Sequence, residues 1–266
     1  MDKSSSIVQQ EFISRYKKRK RLVMYLRLLI LIAFFAAWEI STRIGLLDAF
    51  IFSSPFRILK CIIDMAADGS LFYHMGITIS ETIISFLLVT IIGILAAVLL
   101  WMNQSLSEIL EPYLVVLNSL PKTALAPVLI VWLGNNIKTI IVAAISVAVF
   151  GTILTVYTGF QSVDPEKIKL IYTFRGGKRD VLSKVILPST VPLIISTMKV
   201  NIGLSLVGVI IGEFLAANAG LGYLIIYGSQ VFKLDWVLMS ILILCALAGI
   251  LYFITGRLEK RYGSVK

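Results

Sequence analysis

Apolar and polar positions fall in long alternating blocks along the chain, not at the two-residue period of a strand. Residues 82–107 and 139–163 carry no charge over 26 and 25 positions. At about 1.5 Å per residue, either block can cross about 30 Å of hydrocarbon as a helix. Residues 22–40 form a similar block, broken only by Arg27 and Glu39. So do 113–133, which carries Pro121, Lys122 and Pro127 and is expected to be kinked, 191–215, with Lys199 and Glu213 inside it, and 236–256. The pattern predicts an all-α polytopic membrane protein with six transmembrane helices. Between the first two spans, Ser54 and Pro55 make an N-cap and N1 pair for a short helix ending near Asp68 and Gly69, outside the bilayer. Gly134-Asn135-Asn136 is a turn signal, and the patch from Tyr223 to Tyr227 is too short to span and reads as re-entrant or interfacial.

Charge adds orientation. The chain has 25 basic and 15 acidic residues, a formal net charge of +10. Eighteen of the basic residues lie in three places: the amino-terminal stretch through Arg27, residues 164–184, and the stretch from Arg257 onward. Five lie on the opposite side of the six-span arrangement. This bias places both termini and segment 164–188 in the cytoplasm, and it accounts for the basic excess without nucleic acid. Residues 1–21 read as a basic cytoplasmic tail and 22–266 as a single transmembrane domain. The first apolar block is longer than a signal-peptide core and has no small-residue cleavage pattern before Trp38 and Glu39, so it is expected to be retained.

A hydrophobic content of 58% with 15% charged residues excludes a soluble domain. Cys61 and Cys245 lie too far apart for a disulfide framework or a paired-cysteine metal site, and His74 is the single histidine. No GxxxxGK[ST] phosphate loop occurs. The chain is therefore expected to bind no cofactor and to perform no covalent chemistry, so energy for any transport must come from another subunit. A secondary transporter would call for two similar halves, a pair of intramembrane carboxylates or a histidine cluster, and none of these is legible.

Segment 164–184 packs nine charges into the longest internal polar stretch. Asp164 as cap, Pro165 at N1 and Glu166 in the first turn start a helix that also carries Lys169. Ile168, Ile171 and Tyr172 recur at helical spacing and give this helix an apolar face that, in water, needs a partner to cover it. Gly176-Gly177 are expected to form a sharp turn ahead of Lys178. Val181, Leu182 and Val185 then form a second amphipathic turn that Pro188 ends.

This segment resembles the cytoplasmic loop of the inner-membrane permease subunits of ABC importers, whose pattern is Glu-Ala-Ala, three residues, Gly, nine residues, Ile-x-Leu-Pro. Val185-Ile186-Leu187-Pro188 matches the end of the pattern. Arg175 stands at its glycine position and Lys169-Leu170-Ile171 at Glu-Ala-Ala, so Gly176-Gly177 are expected to turn the chain one residue late and Glu166 to supply the acid three residues early. Further motifs resemble the branch that imports nitrate, sulfonates, taurine or bicarbonate: Phe52-Ser53-Ser54-Pro55, Leu120-Pro121-Lys122-Thr123-Ala124-Leu125-Ala126-Pro127, and Val209-Ile210-Ile211-Gly212-Glu213-Phe214 with Ala219-Gly220-Leu221-Gly222-Tyr223.

The resemblance implies the type I ABC importer permease fold and a permease homodimer. It also implies an extracytoplasmic binding protein and two cytoplasmic ABC ATPase subunits that hold ATP and Mg. It assigns ATPase coupling to Asp164, Pro165, Glu166, Ile168, Lys169, Ile171, Tyr172, Arg175, Gly176, Gly177, Lys178, Leu182, Leu187 and Pro188. The implied function is a pathway for a small anion in a multi-pass protein of the cell membrane, working by alternating access. The alternative cargo is an uncharged or cationic nutrient such as a vitamin precursor, because related permeases look alike while the binding protein selects.

An ionisable group costs at least about 2.5 kcal/mol near the bilayer centre, so the polar residues within the spans are candidates for the pathway or gate. Lys122, beside Thr123 in the kinked block, is placed to face a dimer axis where a positive charge suits an anion. Lys199 either snorkels to the cytoplasmic surface or faces the pathway. Asn201 and Ser205 either line a polar path or bond to a neighbouring helix. Glu81 and Glu213 sit near the outer interface, as structural or docking residues or with a direct role. Gly203, Gly208 and Gly212 permit close helix packing.

Overall fold

The structure, a computed structural model, describes residues 7–262, and every regular element among them is helical. The first six residues of the basic tail and Lys266 lie outside the described residues. The chain divides into two compact units between Ile63 and Asp64.

In the first unit, α1 (Ile7–Arg43) extends well ahead of the apolar block, because nothing in the basic run before it breaks a helix. Glu39, the acidic interruption of that block, is held by hydrogen bonds to Arg43, Phe56 and Ser54. Its carboxylate accepts from Arg43 Nε at 2.7 Å and from the backbone N–H of Phe56 at 3.0 Å. Asp48 caps α2 (Ala49–Phe52) by accepting from Phe50 N–H at 2.8 Å. At the start of α3 (Pro55–Ala67), Ser54 Oγ accepts from Arg57 N–H at 3.3 Å, the cap expected from the Ser54-Pro55 pair.

The second unit takes in the last residues of α3 and then α4 (Ser70–Met102), which starts ahead of the uncharged block 82–107 and stops inside it. Asn103 sets that stop. Its backbone is extended, with φ −132° and ψ 101°, and its side chain accepts from Leu106 N–H at 3.2 Å to cap α5 (Gln104–Ser119). A charge-free run can thus hold a helix boundary when one polar side chain offers the backbone a competing hydrogen bond.

The expected kinked span is two helices, α5 and α6 (Lys122–Leu133), bent by 89°. The residue before a proline is driven out of the helical region. Leu120 accordingly has ψ 140°, and the chain breaks at Leu120-Pro121. Asn136 caps α7 (Ile137–Gln161) through Lys138 N–H at 2.8 Å. After α8 (Pro165–Thr173), α9 (Lys178–Val181) runs through a π-helical turn, Leu182–Ile186, into α10 (Leu187–Ala216). The chain ends in α11 (Leu221–Gln230) and α12 (Leu234–Tyr262). Among the described residues, five helices are long and apolar enough to cross a membrane, or six if the bent pair counts as one span.

Helices α4, α7 and α10 form the packed centre. A Cβ on Gly208 would lie 2.6 Å from Ala144 Cα, and one on Gly212 would lie 2.8 Å from Ile140 Cα, so α7 and α10 meet backbone to backbone. A Cβ on Gly203 would meet no other helix within 4 Å among the described residues of this chain. At the loop end of the bundle, Ala97 and Leu100 of α4 join Val156 and Phe160 of α7, and with them Val181 and Ile186 from the segment before α10. The second half of the polar loop is therefore part of the core.

Candidate functional site

Segment 164–188 folds as a helical hairpin. Asp164 Oδ1 accepts from Glu166 N–H at 2.9 Å and Pro165 occupies the first turn, so α8 starts as its sequence dictates. Its end departs from expectation. Gly176 N–H donates to Ile171 O and Arg175 N–H to Tyr172 O, both at 2.9 Å, which is the Schellman pattern with Arg175 at the left-handed position. Arg175 takes φ +61° itself, while Gly177 has φ −92°. The turn is made at the family's glycine position by an arginine, not one residue later by the glycine pair. Gly176 serves close approach instead, since a Cβ there would meet Ile171 Cγ2 at 2.5 Å.

The second arm also differs from its expectation, because Pro188 does not end it. A proline inside an α-helix removes one hydrogen bond and its ring collides with the carbonyl four residues back. Here the backbone widens just ahead of the ring. Leu187 N–H reaches back five residues to Leu182 O, and the helix continues into α10. Asp180 fixes the arm's start by accepting from Gly177 N–H at 2.9 Å, and also from Lys184 Nζ at 2.9 Å. Lys178 Nζ donates to Met102 O at 2.9 Å and lies 5.5 Å from the Trp101 ring centroid, so the hairpin grips the end of α4.

Exposure redistributes the apolar face. Ile168 and Ile171 pack with Leu182 and Leu187 against the chain's own core. The apolar side chains left uncovered are Leu170, Tyr172 and Phe174, exposed by 55%, 49% and 75%. They are flanked by exposed Lys167, Lys169, Arg175 and Arg179. Leu170 and Phe174 were missed by the periodicity because it identifies an apolar stripe without saying which stripe the rest of the chain covers. The signal available was their spacing of four residues.

The residues expected for the pathway or gate do not converge on one place. Lys122 Nζ donates to the carbonyls of Leu117 and, at 3.0 Å, of Asn118, placing its charge at the negative end of α5, 5.5 Å from the Phe150 ring centroid. Thr123 is exposed on α6. Lys199 pairs with Glu259 of α12 at 2.8 Å and lies 4.5 Å from the Tyr252 ring centroid. Asn201 is buried on α10, its Oδ1 accepting from Thr152 Oγ1 at 3.1 Å. Ser205, one turn further along, is also buried.

Glu213 is 1% exposed and organises the turn between α10 and α11. Its carboxylate accepts from Thr78 Oγ1 at 2.7 Å and from Gly222 N–H at 2.5 Å. Thr78 Oγ1 accepts from Leu221 N–H at 2.8 Å, and His74 Nδ1 from Gly220 N–H at 3.0 Å. Gly220 has φ +120°, and a Cβ on it would overlap the Glu213 carboxyl. Glu81 hydrogen-bonds to Glu213 from α4. A buried carboxyl pair thus exists where none was legible, because its members lie far apart in sequence and only the packing of α4 on α10 joins them.

The model of the family described as binding-protein-dependent transport system inner membrane component matches residues 89–264, which contain the hairpin, α7, α10 and the end of α4. The chain belongs to this family. Among similar permeases, the formylaminopyrimidine transport permease ThiX of Halalkalibacterium halodurans is 30% identical over 187 residues, 70% of this chain and 74% of that one. A putative aliphatic sulfonates transport permease, SsuC of Bacillus subtilis, is 24% identical over 94% of this chain and 91% of its own. In fold, this permease is similar to a chain of a bacterial ABC transporter involved in the import of the acidic polysaccharide alginate, with a TM-score of 0.66 at 14% identity over 95% of this chain and 100% of that one. The permease is a multi-pass component of the inner membrane, has the type I importer fold, and serves an ABC importer.

Proposed function

We propose that this permease works as a homodimer that forms the path for a small anion, an aliphatic sulfonate being the type case, with hairpin 164–188 as the contact for two cytoplasmic ABC ATPases. The observation that carries the coupling role is continuity. The hairpin follows α7 directly, runs without a break into α10, has its second arm buried in the core and holds the end of α4 through Lys178. A push on its exposed tip is therefore delivered to the three central helices as a rigid-body displacement, the kind of element that switches between two packed arrangements.

Both termini and the hairpin lie on the cytoplasmic side in this reading, from the lysine and arginine bias. ATP and Mg belong to the partner subunits, and this chain carries out no reaction of its own. A binding protein delivers the solute from the other side. The anion reading is supported by the sulfonate permease that covers nearly the whole chain. The formylaminopyrimidine permease supports the second reading, an uncharged or cationic nutrient such as a vitamin precursor on the same architecture.

Co-purification with the ATPase subunits tests the coupling role. Phe174→Asp and Tyr172→Asp put a charge on the uncovered face and are expected to abolish co-purification while the permease keeps its thermal stability. Ile171→Asp, which points its charge into the permease itself, is expected to destabilise the protein. ATPase retention by Phe174→Asp equal to that of the native chain would refute the assignment.

A further inference from the structure

A cavity of about 400 Å³ opens between α5, α7 and α10. Its polar lining is Asn118, Thr152, Thr155, Ser196, Thr197 and Asn201, and the remainder is aliphatic or glycine, with no charged side chain in the wall among the described residues. Asn118, Thr155 and Ser196 are exposed at the cavity's open side, while Thr152 and Asn201 are buried at its inner end. Six hydroxyl and amide side chains gathered at membrane depth are costly to leave facing hydrocarbon and make sense where they meet a polar solute. The amide of Asn201 is only half used. Its Oδ1 is bonded to Thr152, whereas Nδ2, in a side chain 3% exposed, has no partner among the described residues. A buried N–H without an acceptor is a standing cost that an incoming acceptor removes.

The two lysines that would suit an anion are spoken for. Lys122 is bonded to the carbonyl end of α5 and Lys199 to Glu259, and neither lines the cavity.

We infer that this cavity is a solute-contact site in each permease subunit, which takes the oxygen- or nitrogen-acceptor face of a small solute on neutral hydroxyl and amide donors and seats its apolar body on Val147, Leu193, Val200 and Leu204. The inference rests on the proposed transport function. Recognition here is by hydrogen bonds without a countercharge, so the site holds solute loosely and releases it, as a point of transit requires. Two sources offer this acceptor chemistry: the head group of an alkanesulfonate, and the ring and carbonyl of a formylaminopyrimidine.

The test uses the full complex of permease, ATPase and binding protein in liposomes, with the number of solute molecules moved per ATP hydrolysed as the readout. Both probes are run on the native complex and on Asn201→Leu, Ser196→Val and Thr155→Val. The two valine variants alter only exposed hydroxyls and guard against misfolding. Loss of one hydrogen bond at the site is expected to lower the ratio for the transported probe about three- to tenfold in each variant. An unchanged ratio in all three overturns the site, as does a fall in uptake matched by an equal fall in hydrolysis, which marks a purely structural role. Asn201→Asp identifies the source, with both outcomes supporting the site: a deeper loss than Asn201→Leu marks an anion, repelled by the new carboxylate, and an equal loss marks an uncharged solute. A native complex that moves neither probe on ATP addition fails the transport reading itself, a result distinct from failure of the site.

Discussion

Replacing Arg175 by glycine should tighten the hairpin. An L-residue in the left-handed region carries a clash between its Cβ and the backbone that glycine lacks, and Arg175 holds φ +61° at the end of α8. Relief of that clash is worth about 1 kcal/mol. The substitution also removes a cation from a helix carboxyl terminus, a loss of about 0.3 kcal/mol for an exposed group. Arg175→Ala removes the same charge but keeps the clash, so the glycine and alanine variants differ by the backbone effect alone.

The assay is amide hydrogen exchange in the intact permease. Phe174 N–H and Gly176 N–H report on the motif because they donate to Leu170 O and Ile171 O across it. A difference of about 1 kcal/mol in local opening is about a fivefold difference in exchange rate, with the glycine variant slower. Equal exchange in the two variants would show that the left-handed residue carries no strain and would undo the account of why the glycine position matters.

Gly220→Ala should be severe, because both its φ of +120° and the carboxyl of Glu213 exclude a side chain. Expected destabilisation is about 3 kcal/mol or more, read as a loss of folded protein in thermal unfolding, and native stability would count against the clasp at Glu213. Lys178→Met keeps the aliphatic stem over Trp101 but deletes the bond to Met102 O. It should leave ATPase binding intact and lower transport per ATP, measured in liposomes, if this bond links the hairpin to α4. Its cost in stability should stay within about 1 kcal/mol, as for one exposed hydrogen bond.

Several helix starts and breaks with a local cause were legible. Asp164 with Pro165 and Ser54 with Pro55 act within a few residues through one side-chain hydrogen bond, and the kink expected over residues 113–133, though not the full break at Leu120-Pro121, follows from proline sterics. The limits of α4 were less legible. Absence of charge shows where a chain tolerates lipid, whereas Asn103 ends the helix by a hydrogen bond that hydropathy does not register.

The candidate site divides along the same line. Its residues could be named from the polar segment 164–188, but their partners could not. Ile168 and Ile171 turn inward because the second arm of the hairpin and the core it joins cover them, and Leu170 and Phe174 are left outside. The proline exit was misread because a π turn is a response to core packing of Val185 and Ile186 as well as to the ring.

By itself the sequence determined that the chain lives in a bilayer, how many apolar segments it has, and which polar loop stands apart, since these follow from the transfer free energies of single residues summed over short windows. The tertiary structure alone decided which charges are engaged and which polar groups share a cavity. Lys199 meets Glu259, Glu213 meets Thr78 and Glu81, and Asn201 meets Thr152, all pairings between distant segments. Such pairings depend on helices meeting at close range, and the small residues Gly208 and Gly212 set that distance only once the face of α7 that receives them is in place.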